Sequence, residues 1–277
     1  MSLPAVPDTF EWIQQSWGAA LRCIPLQAIA PHLFTTRQLA LSTQEDWRTI
    51  AEAIGAASVQ TLTQVHGRGV FVLRSPKGLR HSERREHVAQ GFSPAIGRPE
   101  ADVLVSNNPK IAIAVRAADC VPILIADPKT GAVAAVHAGW RGTAAAAAPA
   151  ALEAMSHEFG ARPADLIAAI GPSIGPCCYE VGTELVDAFA AAGHARHLID
   201  RWFLAPPPPR GESDRPTLRL DTWAANRDQL MLAGVDEQNI HMCGLCTANH
   251  LELFPSYRVE RDEAGRIAGI IKANGKK

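Results

Sequence analysis

The sequence predicts a mixed α/β fold in which central sheets, largely antiparallel or mixed, are flanked by helices. Strand-like and helix-like apolar patterns follow one another along the whole chain of 277 residues, and this mixture favours sheets packed against helices. Hydrophobic residues make up 47% of the chain and aromatic residues only 6%, so Ala, Val, Leu and Ile must fill most of the core. We expect residues 1–277 to form a single domain.

The N-terminal half supplies most of the predicted strands. Apolar residues at helical spacing predict a helix over residues 44–56, and the alternating segment 58–65 predicts a strand that ends in a turn. Residues 69–74 are expected to return as the hairpin partner of that strand. Residues 75–98 are polar and rich in Gly and Pro, which predicts a surface loop. Further strands are predicted at 101–106, 110–116, 121–126 and 131–137.

The C-terminal half alternates helices with short strands. The Ala-rich segment 143–159 predicts a helix, which Pro149 kinks or divides into two pieces. A strand at 165–172 and a helix at 181–193 follow. An exposed Pro-rich loop, a helix with Asp221 as its N-cap and a final hairpin are predicted at 205–216, 221–235 and 255–271.

The overall charge excludes some classes of partner. The formal net charge is −1, so no global attraction to nucleic acid or to an anionic membrane is expected. The N-terminal segment lacks the basic and apolar regions of a signal peptide, and no run approaches about 18 apolar residues. These features predict a soluble cytoplasmic protein.

The chain has six cysteines, which we do not expect to form a disulfide framework in a protein without a secretory signal. The C-G-L-C segment 243–246 has the spacing of redox and zinc motifs. The other close pair, Cys177 and Cys178, is adjacent in sequence and cannot supply a second C-x-x-C motif. We therefore favour structural thiols at a loop for this segment.

A thiol and an imidazole stand at the ends of two strands that we expect to pair. The segment A-D-P-K-T-G between strands 121–126 and 131–137 has the residues of a tight turn, which predicts a hairpin. A two-residue loop places Cys120 directly opposite His137, and a four-residue loop offsets the two by two positions. Both registers keep the two side chains on one face of the sheet, within reach of one metal ion.

His66 is the candidate third ligand, because it ends the predicted strand 58–65 just before a glycine. A His2Cys set leaves one coordination position open, which is typical of catalytic zinc. The spacing alone leaves another interpretation open, in which Cys120 is a core thiol and His137 a hydrogen-bonded core imidazole.

Several motifs occur in a fixed order along the chain. They are T-Q-V-H-G (63–67), A-D-C-V-P-I-L (118–124), V-H-A-G-W-R-G-T (136–143), G-P-S-I-G-P-C-C-Y-E-V-G (171–182), C-T (246–247), F-P-S-Y-R (254–258) and G-R (265–266). In these motifs the chain resembles the YfiH/laccase-domain family of FAMIN-like purine nucleoside phosphorylases, formerly called polyphenol oxidases. The resemblance implies that one α/β domain carries the site and that zinc is bound by His66, Cys120 and His137.

The resemblance also implies zinc-dependent chemistry on purine nucleosides. The expected reactions are phosphorolysis of adenosine, inosine, guanosine or methylthioadenosine and deamination of adenosine, so the expected partners are these small molecules and phosphate. Cu²⁺ can occupy the same ligands in vitro, because it outranks Zn²⁺ in affinity. Laccase activity is not expected, since the ten histidines include no H-x-H pair. We expect a monomer.

Other residues are candidates for the two reactions. Deamination needs a proton carrier, for which Asp102 is the catalytic candidate beside the three ligands, although a strand-capping role fits it equally. Asp119 should point to the opposite face of its strand and play a structural role. Phosphorolysis needs cationic groups around phosphate. The candidates for substrate or phosphate binding are Arg37, Arg141, Cys178, Tyr179 and Arg258.

The N-terminal segment departs from the family pattern, because F-T-T-R-Q-L-A-L-S (34–42) keeps Arg37 but lacks the usual glycines. Any substrate contact by this N-terminal loop is therefore in doubt. Two other functions also stay open. One, which the same resemblance implies, is a zinc amidohydrolase that edits peptidoglycan precursors and needs the same metal chemistry. The other is a non-catalytic protein in which zinc is a structural clip, and this requires a fourth protein ligand. The candidates for that ligand are His241, His250 and Cys246.

Overall fold

The computed structural model describes residues 3–75, 98–205 and 217–275. The two predicted loops, 75–98 and 205–216, lie outside the described residues except for residues 75, 98 and 205. None of the helices in the described part of the chain is both long and apolar enough to cross a bilayer.

The helices and strands of these residues follow one another in a mixed order. The strands are β1 (Phe10–Gln15), β2 (Gly18–Cys23), β3 (His32–Thr35), β4 (Ser58–Gln60), β5 (Val70–Leu73), β6 (Val103–Ser106), β7 (Ile111–Ala117), β8 (Val121–Ala126), β9 (Val133–Ala138), β10 (Ile167–Ile170), β11 (Glu180–Gly182), β12 (Phe203–Leu204), β13 (Thr217–Leu220), β14 (Ile240–Met242) and β15 (Ile267–Ile271). The α-helices are α1 (Ile24–Gln27), α2 (Gln44–Ala53), α3 (Trp140–Ala144), α4 (Ala147–Phe159), α5 (Glu184–Ala191), α6 (Arg196–Trp202), α7 (Thr222–Leu232) and α8 (Tyr257–Glu260).

Over the described residues the strands form two six-stranded sheets and one three-stranded sheet. The first sheet has the order β1-β2-β3-β15-β7-β4, the second β14-β10-β8-β9-β6-β5, and the small third sheet β11-β13-β12. Most neighbours are antiparallel, whereas β4 runs parallel to β7, β5 to β6 and β10 to β14. The prediction of largely antiparallel, mixed sheets flanked by helices is confirmed.

The two larger sheets pack face to face over an apolar core. Phe34 and Ile113 of the first sheet meet Leu104 and Leu124 of the second sheet there, and all four are fully buried. Helix α2 covers the outer face of the first sheet, and helices α4 and α7 cover that of the second. The order of layers is therefore α/β/β/α, with helices α5 and α6 and the third sheet forming a separate apolar cluster.

The hairpin β8–β9 forms as predicted, with the four-residue loop rather than the two-residue loop. Ala126 pairs with Val133, and the Asp127 carboxylate accepts the Lys129 N–H and the Thr130 hydroxyl within the turn. Gly131 closes the turn with a φ of 74°, which a residue with a side chain rarely adopts. The turn chemistry thus sets the register that positions the ends of both strands.

The Ala-rich segment after β9 forms two helices, as Pro149 suggested. The break falls at Ala146, which has a φ of 60°, and Pro149 lies in the first turn of α4. Pro is tolerated there because the first N–H groups of a helix have no intrahelical acceptor. Helix α7 begins at the predicted N-cap, where the Asp221 carboxylate accepts the N–H of Ala224.

Two hairpin predictions are wrong. Strand β4 does not pair with β5; the two strands belong to different sheets, and each lies parallel to a strand that follows much later in the chain. The segment 255–271 forms the short helix α8, a 3-10 turn and β15 rather than a hairpin. In both cases the long-range partner determines the pairing, and local alternation does not reveal it.

Candidate metal centre

The structure brings His66, Cys120 and His137 together. One nitrogen of each imidazole and the Cys120 Sγ all lie within 4.8 Å of one another. The centroids of the two imidazole rings are 5.0 Å apart, and the rings are inclined at 76°. His137 is buried, Cys120 is half-buried and His66 is exposed, so the cluster opens on one side to solvent.

Hairpin β8–β9 supplies two members of this cluster. Pro122 pairs with His137 and Val121 with Ala138, so Cys120 is two positions away from direct pairing with His137. This is the second of the two registers considered from the sequence. Cys120 lies just before β8, in the turn of residues 118–120, and from there its Sγ comes close to both imidazoles.

The Asp102 carboxylate holds the His137 ring and the turn that carries His66. Asp102 immediately precedes β6, the strand paired with β9, and there its carbonyl accepts the His137 N–H and its Oδ1 lies 2.9 Å from His137 Nδ1. The same carboxylate accepts the backbone N–H groups of His66 and Gly67, at 2.9 and 2.6 Å. His137 therefore carries its proton on Nδ1 and presents Nε2 to the cluster, the usual arrangement behind a metal-ligating histidine.

His66 lies in a turn whose backbone conformation is unfavourable for a residue with a side chain. Its φ is 63°, in the left-handed region that costs free energy for a residue with a side chain. The carboxylate of Asp102 fixes the turn from one side. Gln64 fixes it from the other side, because its amide exchanges hydrogen bonds of 2.7 and 2.8 Å with the backbone of Arg116.

Burial and the neighbouring charged groups have opposite effects on the pKa of Cys120, and likewise on the pKa of His137. Burial alone would raise the pKa of the Cys120 thiol, but the charge and hydrogen bond of His137, with a hydrogen bond from His66, outweigh it and lower that pKa. Burial alone would lower the pKa of His137, but the Cys120 thiolate and Asp102 outweigh it and raise that pKa. The cluster therefore favours a thiolate, the form of cysteine that binds metals.

The space beside the Cys120 sulfur depends on a glycine. A Cβ at Gly139 would lie 2.8 Å from Cys120 Sγ and 3.5 Å from His66 Cδ2. One thiolate and two imidazoles form a donor set of the kind that Zn²⁺ takes in catalytic sites. Among the described residues no fourth His, Cys, Asp or Glu completes the cluster. The three residues therefore fit a Zn²⁺ ion with one open position.

A cavity of about 830 Å³ adjoins the cluster, and all three of its residues line it. Arg116 and Arg266 line the same cavity. Burial, followed by the charges of Arg98 and Arg266, lowers the pKa of the Arg116 guanidinium. The Nε of Arg116 is buried and has no hydrogen-bond partner in the part of the chain that the structure describes. This wall of the cavity is therefore cationic.

A second cavity has a volume of about 260 Å³, and His66 and Cys120 line both cavities. Arg141 and Arg258 line the smaller cavity, as does Tyr179. The Arg141 guanidinium lies 4.3 Å from the centre of the Trp140 ring, and that of Arg258 lies 5.2 Å from the Tyr179 ring. Three of the substrate-binding candidates therefore lie beside the cluster.

Other sequence candidates are elsewhere or have different roles. Arg37 forms an ion pair with Glu260, donates to the Leu251 carbonyl and lines neither cavity. Cys178 is also absent from both linings. Asp102 is fully buried with its oxygens already accepting hydrogen bonds. The role of proton carrier to substrate therefore does not fit Asp102, which positions the ligands instead.

Asp119 makes structural contacts, but it does not lie on the opposite face of a regular strand: it lies in a turn and lines the smaller cavity together with Cys120. Its carboxylate accepts the Thr247 hydroxyl and the backbone N–H of Arg258, each at 2.6 Å. The turn formed by residues 118–120 is tight, and Asp119 has a φ of 81°. Asp119 thus ties the turn before Cys120 to the start of α8, which carries Arg258 beside the smaller cavity.

Sequence reasoning missed four contributors to the site. The positioning role of Gln64 and the space at Gly139 depend on atoms far apart in sequence, although both lie within the quoted motifs T-Q-V-H-G and V-H-A-G-W-R-G-T. Arg266 lies in the quoted G-R pair, whose charge was an available signal. Arg116 lies in a strand that reads as core, and only the tertiary structure reveals its place in the larger cavity.

The fold and the cluster together define the class of protein. Residues 34–274 match the family model described as multi-copper polyphenol oxidoreductase laccase. The chain therefore belongs to this laccase-domain family, which the sequence motifs predicted.

Relatives with assigned functions match different lengths of the chain. A purine nucleoside phosphorylase of Deinococcus radiodurans is 32% identical over 261 residues, which cover 87% of this chain and 88% of that protein. A purine nucleoside phosphorylase of Bacteroides thetaiotaomicron is 37% identical over 171 residues, and the match spans 60% of its length and 61% of this chain. A third relative, the adenosine deaminase RL5 of an unknown prokaryotic organism, is 37% identical over 62% of each chain.

Solved structures share the fold. YlmD from Geobacillus stearothermophilus superposes with a TM-score of 0.74 at 30% identity and covers 97% of this chain and 100% of its own. The YfiH protein of Bacillus licheniformis superposes with a TM-score of 0.76 at 24% identity, over 92% of this chain and 96% of its own. The arrangement of sheets and helices is thus that of the YfiH and YlmD structures.

Proposed function

We propose that this chain is a zinc-dependent purine nucleoside enzyme, which catalyses phosphorolysis of adenosine, inosine, guanosine or methylthioadenosine and deamination of adenosine. The observation that carries the proposal is the His2Cys cluster at the junction of two cavities, each lined by arginines. The names of the three relatives described above support the same substrate class.

Phosphorolysis requires two substrates side by side. A phosphate oxygen attacks C1′ of the ribose, the bond from C1′ to the purine nitrogen breaks, and the products are ribose 1-phosphate and the free base. Arg141 and Arg258 of the smaller cavity can donate hydrogen bonds to phosphate. The larger cavity, at about 830 Å³, has the size of a small-molecule site and can hold the nucleoside.

Deamination uses water in place of phosphate. Water replaces the amino group at C6 of the purine, and ammonia leaves. When bound, Zn²⁺ supplies Lewis acidity toward water or a substrate oxygen or nitrogen. The residues of the chain hold the ligands in place: Asp102 orients the His137 ring and the His66 turn, and Gly139 keeps the space beside Cys120 free. The aromatic rings of Trp140 and Tyr179 line the smaller cavity.

The proposal is tested by product analysis. Purified protein of known zinc content is incubated with adenosine, with and without phosphate, and the products are separated. We expect adenine release that depends on phosphate, together with inosine formation, and loss of both in His66→Ala and Cys120→Ala. His241→Ala is the matched control, because His241 lies outside the cluster and both cavities. Absence of turnover by the zinc-loaded protein would contradict the proposal.

Arg141→Gln separates the two reactions. The substitution removes a cationic donor from the proposed phosphate position, so we expect the KM for phosphate to rise at least about tenfold, as for loss of a charge-assisted hydrogen bond. The rate of inosine formation, which needs no phosphate, should change little. An equal loss of both reactions would show that Arg141 does not bind phosphate selectively.

A further inference from the structure

A second cluster of cysteines lies apart from the His2Cys site. The Sγ atoms of Cys177, Cys178 and Cys246 all lie within 4.8 Å of one another. None of the three lines either of the two cavities beside His66. The proposed nucleoside reactions therefore make no use of these thiols.

Two loops at the same edge of the second sheet bring the cluster together. Strands β10 and β14 are parallel neighbours, so the loops that follow them leave the sheet side by side. The pairing continues as a bridge between Ser173 and Cys246, with hydrogen bonds from Ser173 N to Leu245 O and from Thr247 N to Ser173 O. Cys246 is thereby held at a fixed distance from the loop that carries Cys177 and Cys178.

The turn that presents the two adjacent cysteines is tightly packed. Cys178 N and Tyr179 N both donate to the Gly175 carbonyl, and this turn lets the neighbouring side chains of Cys177 and Cys178 approach the same point. A Cβ at Gly175 would lie 2.7 Å from the Trp223 ring, so the turn rests directly on that ring. Backbone hydrogen bonds and packing on Trp223 thus hold this turn in place.

Two of the sulfurs already accept N–H hydrogen bonds. Gly175 N–H donates to Cys246 Sγ at 3.3 Å, and the Asn249 amide donates to Cys177 Sγ at 3.3 Å. Cys178 in turn donates to Asn249 Oδ1 at 3.0 Å. N–H donors to sulfur are the outer contacts that stabilise and orient thiolates around a metal ion. Cys246 is buried while Cys177 is exposed, so an ion can reach the cluster from solvent.

We propose that Cys177, Cys178 and Cys246 form a second metal site, which takes a thiophilic ion, either Zn²⁺ or Cu⁺. Three sulfur donors within 4.8 Å select soft ions over Mg²⁺ or Ca²⁺, which prefer oxygen. The site goes beyond the proposed function, because it contributes no group to either cavity. It also gives Cys246 a different partner from the one its C-G-L-C motif suggests, since Cys243 does not join the cluster.

Metal stoichiometry tests the proposal. Reduced, metal-free full-length protein is titrated anaerobically with Zn²⁺ and, separately, with Cu⁺ against a chromophoric chelator; Co²⁺ serves as a spectroscopic probe. We expect the wild type to bind two ions per chain and Cys177→Ser/Cys178→Ser to bind one. The sulfur-to-Co²⁺ charge-transfer absorbance should fall to about a quarter, because Cys120 alone then remains as a metal-bound thiolate.

Two further variants make the test specific. The double variant leaves the buried Cys246 in place, and its circular dichroism spectrum checks that the fold is kept. Cys243→Ala, the matched control, should still bind two ions, since Cys243 lies outside the cluster. His66→Ala should lose the first ion and keep the intense sulfur-to-Co²⁺ absorbance, which separates failure of this proposal from failure of the proposed function. Binding of one ion by both the wild type and the double variant would overturn the second site.

Discussion

At the scale of single residues, Asp102 connects parts of the site that are far apart in sequence. Its carboxylate contacts the imidazole of His137 and the backbone of the His66 turn. Burial raises the pKa of Asp102, but the hydrogen bonds from His137 and Gly67 and the charge of His137 outweigh burial, and the pKa is lowered. The carboxylate is therefore charged while it holds both ligands in place.

Asp102→Asn is expected to weaken zinc binding about 10- to 100-fold, the range measured for loss of such outer contacts. Asparagine removes the negative charge and turns one acceptor into a donor that faces the His66 and Gly67 N–H groups or the His137 ring. Competition with a zinc chelator measures the affinity. Asp187→Asn, on the exposed side of α5, should match the wild type. Unchanged affinity in Asp102→Asn would show that the carboxylate does not support the ligands.

Gly139→Ala is expected to abolish zinc binding at His66 and Cys120 while the fold persists. The added Cβ would lie 2.8 Å from Cys120 Sγ, closer than side chains approach in folded proteins, so the sulfur must move. Gly69→Ala is the matched control, because its added Cβ meets only ordinary contacts at 3.7 Å or more. Zinc content after dialysis and the circular dichroism spectrum decide the outcome; a Gly139→Ala protein with full zinc content contradicts it.

At the scale of elements, the connection between β2 and β3 depends on a neutral histidine. Cys23 N–H donates to His32 Nε2 at 3.0 Å, and His32 Nδ1 donates to the Ala30 carbonyl at 3.0 Å. Burial lowers the pKa of His32 from an ordinary 6.5 to about 4, although the hydrogen bond to Ala30 acts the other way. A protonated ring would direct an N–H group at the N–H of Cys23.

His32 therefore predicts a loss of stability in acid. Between pH 6.5 and about 4, the unfolded chain binds a proton at His32 that the folded chain excludes, so stability is complete above this window and falls as pH drops through it. The loss amounts to about 3 kcal/mol. Urea unfolding at several pH values measures it against His32→Gln, which keeps an acceptor for Cys23 N–H and should lose about 3 kcal/mol less across the window. Parallel pH profiles of the two proteins would contradict the assignment.

The elements differ in how far the sequence predicts them. The β8–β9 hairpin could be predicted because its turn residues are local, and its two registers both place Cys120 and His137 on one face. The prediction of a β4–β5 hairpin is wrong because each of these strands pairs with a partner tens of residues away. For the same reason the sequence offers Asp102 only as a proton carrier or a strand cap: its position opposite His137 depends on the β6–β9 pairing, which no local pattern specifies.

At the scale of the whole molecule, stability depends on the contact between the two large sheets. Phe34 of β3 is fully buried there, and its ring lies where Cβ atoms at Gly171 and Gly269 would be, at 2.3 and 3.2 Å from its Cε1. Two glycines thus make room for one aromatic ring between the sheets. The fit of the Phe34 ring against these two glycines is a packing constraint that composition alone does not show.

Phe34→Ala is expected to lower the free energy of unfolding by about 3–5 kcal/mol, because the close-packed surroundings cannot collapse into the cavity. Leu232→Ala, at a side chain that is 70% exposed, should change it by less than about 0.5 kcal/mol. Urea unfolding of both variants measures the difference. A small loss for Phe34→Ala would mean that the sheets repack around the missing ring.

The place of β15 in the first sheet has a consequence for how the protein folds during synthesis. Strand β15 is the last of the strands in the described residues, yet it lies between β3 and β7 and pairs with both. Within the first sheet, the early strands β1, β2 and β3 therefore cannot join β7 until the ribosome has released residues 267–271. Until then a nascent chain exposes two unpaired strand edges, and these edges are where a chaperone would have to act.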